Sequence, residues 1–170
     1  MLDAEKTARL LAAAEAGDID GLLLLIGELK YREDIERAAI VLTNFDQAKF
    51  NAALQYALAQ LDFRLGRFTE SKDGFLRSAQ MGLFSGFYRA GKIYEDGHLL
   101  VESGHPEIYL DLFERASDLG HVWAKLAVLQ IKSRASISSR FKLYLLRFIS
   151  GPVVVLLSMA SADYRERVRF

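Results

Sequence analysis

The sequence predicts an all-α protein, built as an α/α superhelical repeat of stacked antiparallel helical hairpins. Three observations lead there. Apolar residues recur at helical spacing along the chain, with no convincing strand alternation. Glycines fall where one apolar-periodic stretch ends and the next begins. A short residue pattern returns after 38 to 40 positions.

The elements follow in order. Leu2 to Ala16 is rich in Ala and Leu, and Gly17 stops it. Asp18 caps a second helix through the Leu22 to Ile26 run, and a third covers about Arg32 to Leu42. Asp46 is the expected cap of a long fourth helix with Phe50, Leu54, Leu58 and Leu61 on one face, ended by Gly66. Thr69 is the expected N-cap of Glu70 to Met81, which Gly82 stops. Further helices span about Phe84 to Asp96, ended by Gly97, and His105 to Leu119, ended by Gly120. Pro106 opens the latter in the first turn, where its missing N–H costs nothing. His121 to Lys132 is the last helix of the regular series. Short Gly-punctuated connections imply antiparallel neighbours.

The repeat is carried by Phe75-Leu76-Arg77-Ser78-Ala79-Gln80-Met81-Gly82 and Phe113-Glu114-Arg115-Ala116-Ser117-Asp118-Leu119-Gly120, 38 residues apart. Both read aromatic, any, Arg, small, small, polar, apolar, Gly. A weaker copy, Ile35-Glu36-Arg37-Ala38-Ala39, precedes the first by 40. In a helical chain such a period means hairpins that each bury an apolar face on the next.

Between these copies, Gly86-x-Tyr88-x-Ala90-Gly91-x-x-Tyr94-Glu95-Asp96-Gly97 resembles the first helix of a Sel-like repeat, in the tetratricopeptide superfamily. Arg115-Ala116-Ser117-x-x-Gly120-His121 resembles that family's closing signature, and Ala124 and Leu126 fall where a next repeat begins. The likeness covers about residues 66–129, and departs from the family pattern at Leu99, Tyr109 and Leu112. Residues 1–65 read as generic tetratricopeptide-like hairpins. The resemblance implies a scaffold or adaptor that binds proteins on a concave surface, without catalysis. By the same analogy the first helix of each hairpin lines that surface, which singles out Asn51, Gln55, Arg89 and Lys92 as partner contacts.

Composition narrows the function further. The chain has 170 residues, 51% hydrophobic and 26% charged, with two prolines, no cysteine and a formal net charge of zero. That excludes a disordered chain, a disulfide-stapled module and a protein that coats nucleic acid through bulk charge. Met1 to Asp18 lacks the continuous apolar run of a signal peptide, so the expected location is the cytoplasm. His98, His105 and His121 form no i,i+4 pair and have no cysteine beside them, so no metal is expected. No phosphate-binding glycine loop and no Gly-x-Ser-x-Gly elbow occurs, and no cofactor is expected. The carboxylate pairs Glu33-Asp34 and Glu95-Asp96 are expected on exposed helix ends. Phe84, Phe87, Tyr88, Tyr94, Tyr109 and Phe113 read as core between helices rather than as a binding stripe. Gly91 is expected where two helices touch.

The zero net charge conceals a division. Met1 to Ile131 carries 14 Lys and Arg against 20 Asp and Glu, whereas Lys132 to Phe170 carries eight against two. Two regions follow, a repeat domain over 1–132 and a basic, apolar segment over 133–170, with Ser133 to Ser139 as a hinge or loop. In the second, Leu143 to Ala160 is 18 residues long, near the lower limit for crossing a bilayer. Its ten strongly apolar residues sum to about −4 to −5 kcal/mol of insertion, nearly cancelled by Arg147 before the Ser150-Gly151-Pro152 break is counted. The segment is therefore expected to contact a membrane surface or an apolar partner through Phe141, Lys142, Leu145, Arg147 and Phe148. The alternative is a closing hairpin packed on the repeat. The reading overall is a non-enzymatic scaffold for a protein or peptide partner, and the resemblance to Sel-like repeats implies a bacterial signalling or envelope assembly as its setting. Its rival is a peripheral protein bound to the inner face of a membrane through residues 133–170.

Overall fold

The computed structural model describes residues 2–45, 51–99 and 107–133. They form eight α-helices, and no strand occurs among the described residues. The chain divides into two compact units, Met1–Gly86 and Phe87–Phe170. This boundary falls near the start of one helix rather than at residue 132, where the composition changes.

The first unit opens with α1 (Ala4–Ala16), capped by the Asp3 side chain, which accepts from the Lys6 N–H. Gly17 then takes φ 66°, and the Asp18 carboxylate accepts from Gly21 N–H to start α2 (Ile19–Glu28). Lys30 and Tyr31 lead into α3 (Arg32–Thr43). The next helix, α4 (Ala52–Leu65), is capped by Asn51, whose side chain accepts from Leu54 N–H at 2.8 Å. The expected cap Asp46, and Phe50 with it, lie outside the described residues; the helix starts at Asn51, which offers the same acceptor chemistry. Gly66 at φ 80° closes α4 and donates its N–H to Phe63 O, a left-handed turn that only glycine adopts without strain. Then α5 (Phe68–Gln80) begins at Arg67 without a side-chain cap. The Thr69 cap is thus corrected: Thr69 lies inside the first turn of α5.

Central to this unit is α4. It buries residues on nearly every side, including Leu54, Tyr56, Ala57, Ala59 and Leu61, because α2, α3 and α5 all pack on it. Its partner α5 runs antiparallel. Ser71 Oγ donates to Ala59 O (2.8 Å), Phe75 meets Tyr56 edge-on (4.9 Å) and Arg77 Nε donates to Gln55 (2.8 Å), so numbers rise along one helix as they fall along the other. Small residues permit the approach: a Cβ on Gly74 would stand 2.8 Å from that of Ala59. Arg64 reaches from α4 to donate to the Leu29 carbonyl just past the end of α2 and to the Ile26 carbonyl, which also accepts from the Leu29 N–H. Asn51 similarly donates to Ala14 O at the end of α1.

The helix α6 (Ser85–Glu95) begins in the first unit and continues into the second, which also holds α7 (Glu107–Asp118) and α8 (Val122–Ser133). Pro106 and the loop before it lie outside the described residues, as do all residues after Ser133. Phe113 is the centre of this unit, wholly buried among Tyr88, Tyr109, Phe87 and Ala124. Phe87, Tyr88, Tyr109 and Phe113 are thus core, as expected, whereas Phe84 and Tyr94 are half-buried. Gly91 lies against the Phe113 ring, also as expected, with 2.7 Å from its would-be Cβ to Cε1. His121 is buried at the head of α8, where Nδ1 accepts from Ala124 N–H (3.2 Å) and the ring stacks on Tyr88 at 4.5 Å.

The three copies of the repeated pattern fall on α3, α5 and α7, every second helix. Their first positions, Ile35, Phe75 and Phe113, are all buried, as are Ala38, Ser78 and Ala116 three residues on. The predicted stops Gly17, Gly66, Gly82, Gly97 and Gly120 all have positive φ.

Candidate functional site

A cleft of about 360 Å3 opens in the first unit between α3, α4 and α5. Its apolar floor comes from Leu42, Leu58 and Ala59, which α3 and α4 turn toward one another at helical spacing. Polar groups stand around it. Gln55, only 3% exposed, is held by Arg77 Nε at 2.8 Å, which satisfies an amide that burial would otherwise penalise. Asp62 and Arg67 flank the Gly66 turn and pair at 3.5 Å, and Glu70 lies one helical turn beyond Arg67 on the same side. Burial pushes the Asp62 carboxyl above the usual carboxylate range; Arg67 opposes the shift and Glu70 adds to it. A second depression of about 270 Å3 shares Ala39, Thr43 and Arg67 with the cleft and adds Glu36, Ile40 and Asn44. Ile40 stands there 60% exposed, a large apolar side chain at the mouth of a polar-rimmed groove.

The sequence-derived contacts distribute differently. Asn51 and Gln55 belong to the first unit, and Arg89 and Lys92 to the second. Asn51 is committed to capping α4 and bonding Ala14 O. Gln55 lines the cleft from below, turned inward to Arg77 rather than outward on a solvated face. Arg89 is half-buried. Lys92 donates to Glu95 Oε2 (2.6 Å) and Asp96 Oδ1 (2.8 Å). Desolvation opposes its charge, but the bonds to Asp96 and Glu95 prevail and hold the ammonium above its ordinary value. Phe141, Lys142, Leu145, Arg147 and Phe148 lie outside the described residues.

One carboxylate pair needs correction. Asp34 was expected on an exposed helix end with Glu33, yet it is 4% exposed, because Leu2 folds over it and donates its N–H to Oδ1 at 2.7 Å. That bond holds the Asp34 carboxyl below the usual range against desolvation, with Arg37 assisting. Asp62, Arg67, Glu70 and Arg77 were not singled out as site residues. A signal for Arg77 existed, since it is the arginine of the repeated pattern; its counterpart Arg115 bonds Asp111 within α7 instead (2.9 Å).

Comparison of the chain with known protein families, with characterised proteins and with solved structures finds no match. Among the described residues, no group of His, Asp and Glu is arranged to hold a metal ion. No helix among them is long and apolar enough to cross a membrane.

Proposed function

We propose that this chain is a non-enzymatic helical repeat scaffold, an adaptor whose first unit binds a peptide segment of a protein partner in the α3–α4–α5 cleft. The cleft itself carries the reading. An apolar floor ringed by side chains already fixed by hydrogen bonds suits a ligand that needs orientation rather than chemistry. The appearance of the repeated pattern on alternate helices supports a tetratricopeptide-like or Sel-like superhelical stack, and that resemblance supports a bacterial signalling or envelope setting.

Selection of peptides from a displayed random library on the immobilised full chain tests this. Thr43 lines both depressions at the end of α3, so Thr43→Trp is expected to fill the opening. Selected peptides are expected to bind at least tenfold more weakly to that variant, with helicity unchanged. Equal binding to both proteins would refute the site. A second reading, attachment to an anionic membrane through residues 133–170, is favoured by the excess of eight basic over two acidic residues beyond Ile131. Co-sedimentation with anionic vesicles at low salt checks it.

A further inference from the structure

Three polar side chains lining the α3–α4–α5 cleft have bonding capacity that the protein does not use. Gln55 is 3% exposed, and an amide at that depth has two donors and an acceptor to satisfy. Its Oε1 accepts from Arg77 Nε at 2.8 Å, but its Nε2 hydrogens meet no acceptor among the described residues. Glu70, exposed at the rim, makes no ion pair among them. Asp62 has Arg67 at 3.5 Å, longer than the ~2.8 Å of a charge-assisted hydrogen bond.

We infer that the peptide taken by this cleft carries a lysine or arginine whose charge pairs with Asp62 and Glu70, while a main-chain carbonyl beside it accepts from Gln55 Nε2. The inference rests on the peptide-binding reading of the cleft and names the chemistry of the peptide. Buried N–H groups call for an acceptor, and a peptide backbone offers one at every residue. Charge then selects the side chain. Asp62 has lost water that Arg67 does not replace, so its carboxyl is raised, and Glu70 raises it further. An anionic ligand would meet both carboxylates and deepen that penalty, although Arg67 and Arg77 stand in the same lining. A cationic one relieves it, because its charge compensates Asp62 for the lost hydration and gives Glu70 a partner. Leu42, Leu58 and Ala59 on the floor suit the methylenes of the same long side chain.

The probes are synthetic copies of peptides selected from the displayed random library on the full chain. Those weakened at least tenfold by Thr43→Trp are the cleft ligands, and they are expected to share a lysine or arginine at one position. Norleucine at that position is expected to cost at least tenfold in affinity. Glu70→Gln and Asp62→Asn, at wild-type helicity, are each expected to weaken the basic peptide at least threefold and the norleucine peptide hardly at all. Asp73→Asn removes an equal charge from α5 outside the cleft lining, and is expected to change affinity less than twofold. Cleft ligands with no shared basic residue, or with a shared acidic one, would overturn the inference and leave the peptide cleft standing. Equal weakening by Asp73→Asn would do the same, since long-range attraction would then account for the preference. A library yielding no peptide sensitive to Thr43→Trp would overturn the cleft and this inference together.

Discussion

Alanine in place of Gly91 sets a gain in helix propensity against a collision. The gain for a mid-helix glycine is about 1 kcal/mol. The new Cβ would lie 2.7, 2.9 and 3.2 Å from three carbons of the Phe113 ring. That ring has nowhere to go: it is wholly buried, with Tyr88 at 5.7 Å and Tyr109 at 6.2 Å between ring centres. Overpacking of this kind costs about 1–3 kcal/mol, so Gly91→Ala is expected to destabilise the second unit by up to about 2 kcal/mol net. Gly91→Leu is expected to cost more, since its added atoms meet the same ring. Gly27 provides the opposite case. Nothing lies within 4 Å of its would-be Cβ, and Gly27→Ala near the end of α2 is expected to stabilise by about 0.5 kcal/mol. Urea titration followed by Trp123 fluorescence reports the second unit, and far-UV circular dichroism reports both. A Gly91→Ala protein as stable as the wild type, or more so, would refute the close helix contact.

Asp34 and Asp62 are expected to give opposite pH dependences. The Asp34 carboxyl is depressed in the folded state, so its contribution is complete above the ordinary carboxylate value and is lost as pH falls through the folded value. Asp34→Asn should flatten the acid limb of a urea-midpoint profile. The Asp62 carboxyl is raised, so it opposes folding above its folded value and ceases to do so once pH falls below the ordinary carboxylate value. Asp62→Asn should therefore raise the urea midpoint at neutral pH and leave it unchanged in acid. Arg77→Ala strands the buried Gln55 oxygen and is expected to cost about 1–3 kcal/mol by chemical denaturation, largely restored by Gln55→Leu in the same chain. His121→Ala removes the acceptor for Ala124 N–H and the stack on Tyr88, and is expected to cost at least about 1 kcal/mol, seen as earlier loss of Trp123 signal; His121→Asn should recover part of it.

What the sequence determined by itself is what short-range chemistry decides. Helix existence followed from apolar spacing, and the turns at Gly17 and Gly66 from a left-handed conformation that side chains resist. The contact at Gly91 was legible because a glycine inside an otherwise regular helix points to something pressing on it. The cap of α4 is Asn51, an acceptor side chain ahead of an apolar run, whereas Asp46 lies outside the described residues. Burial of Asp34, by contrast, depends on Leu2, 32 residues away. Gln55 faces Arg77 across 22 residues, and Arg64 reaches the end of α2 across 35 and 38. A polar side chain on a helix reads the same in sequence whether water or another helix lies opposite. Only the packing of α3, α4 and α5 turned Gln55 inward and drew Asp62, Arg67 and Arg77 around one cleft. Local conformational preference wrote the helices into the sequence, whereas the cleft exists only because residues distant in the chain share a desolvated space.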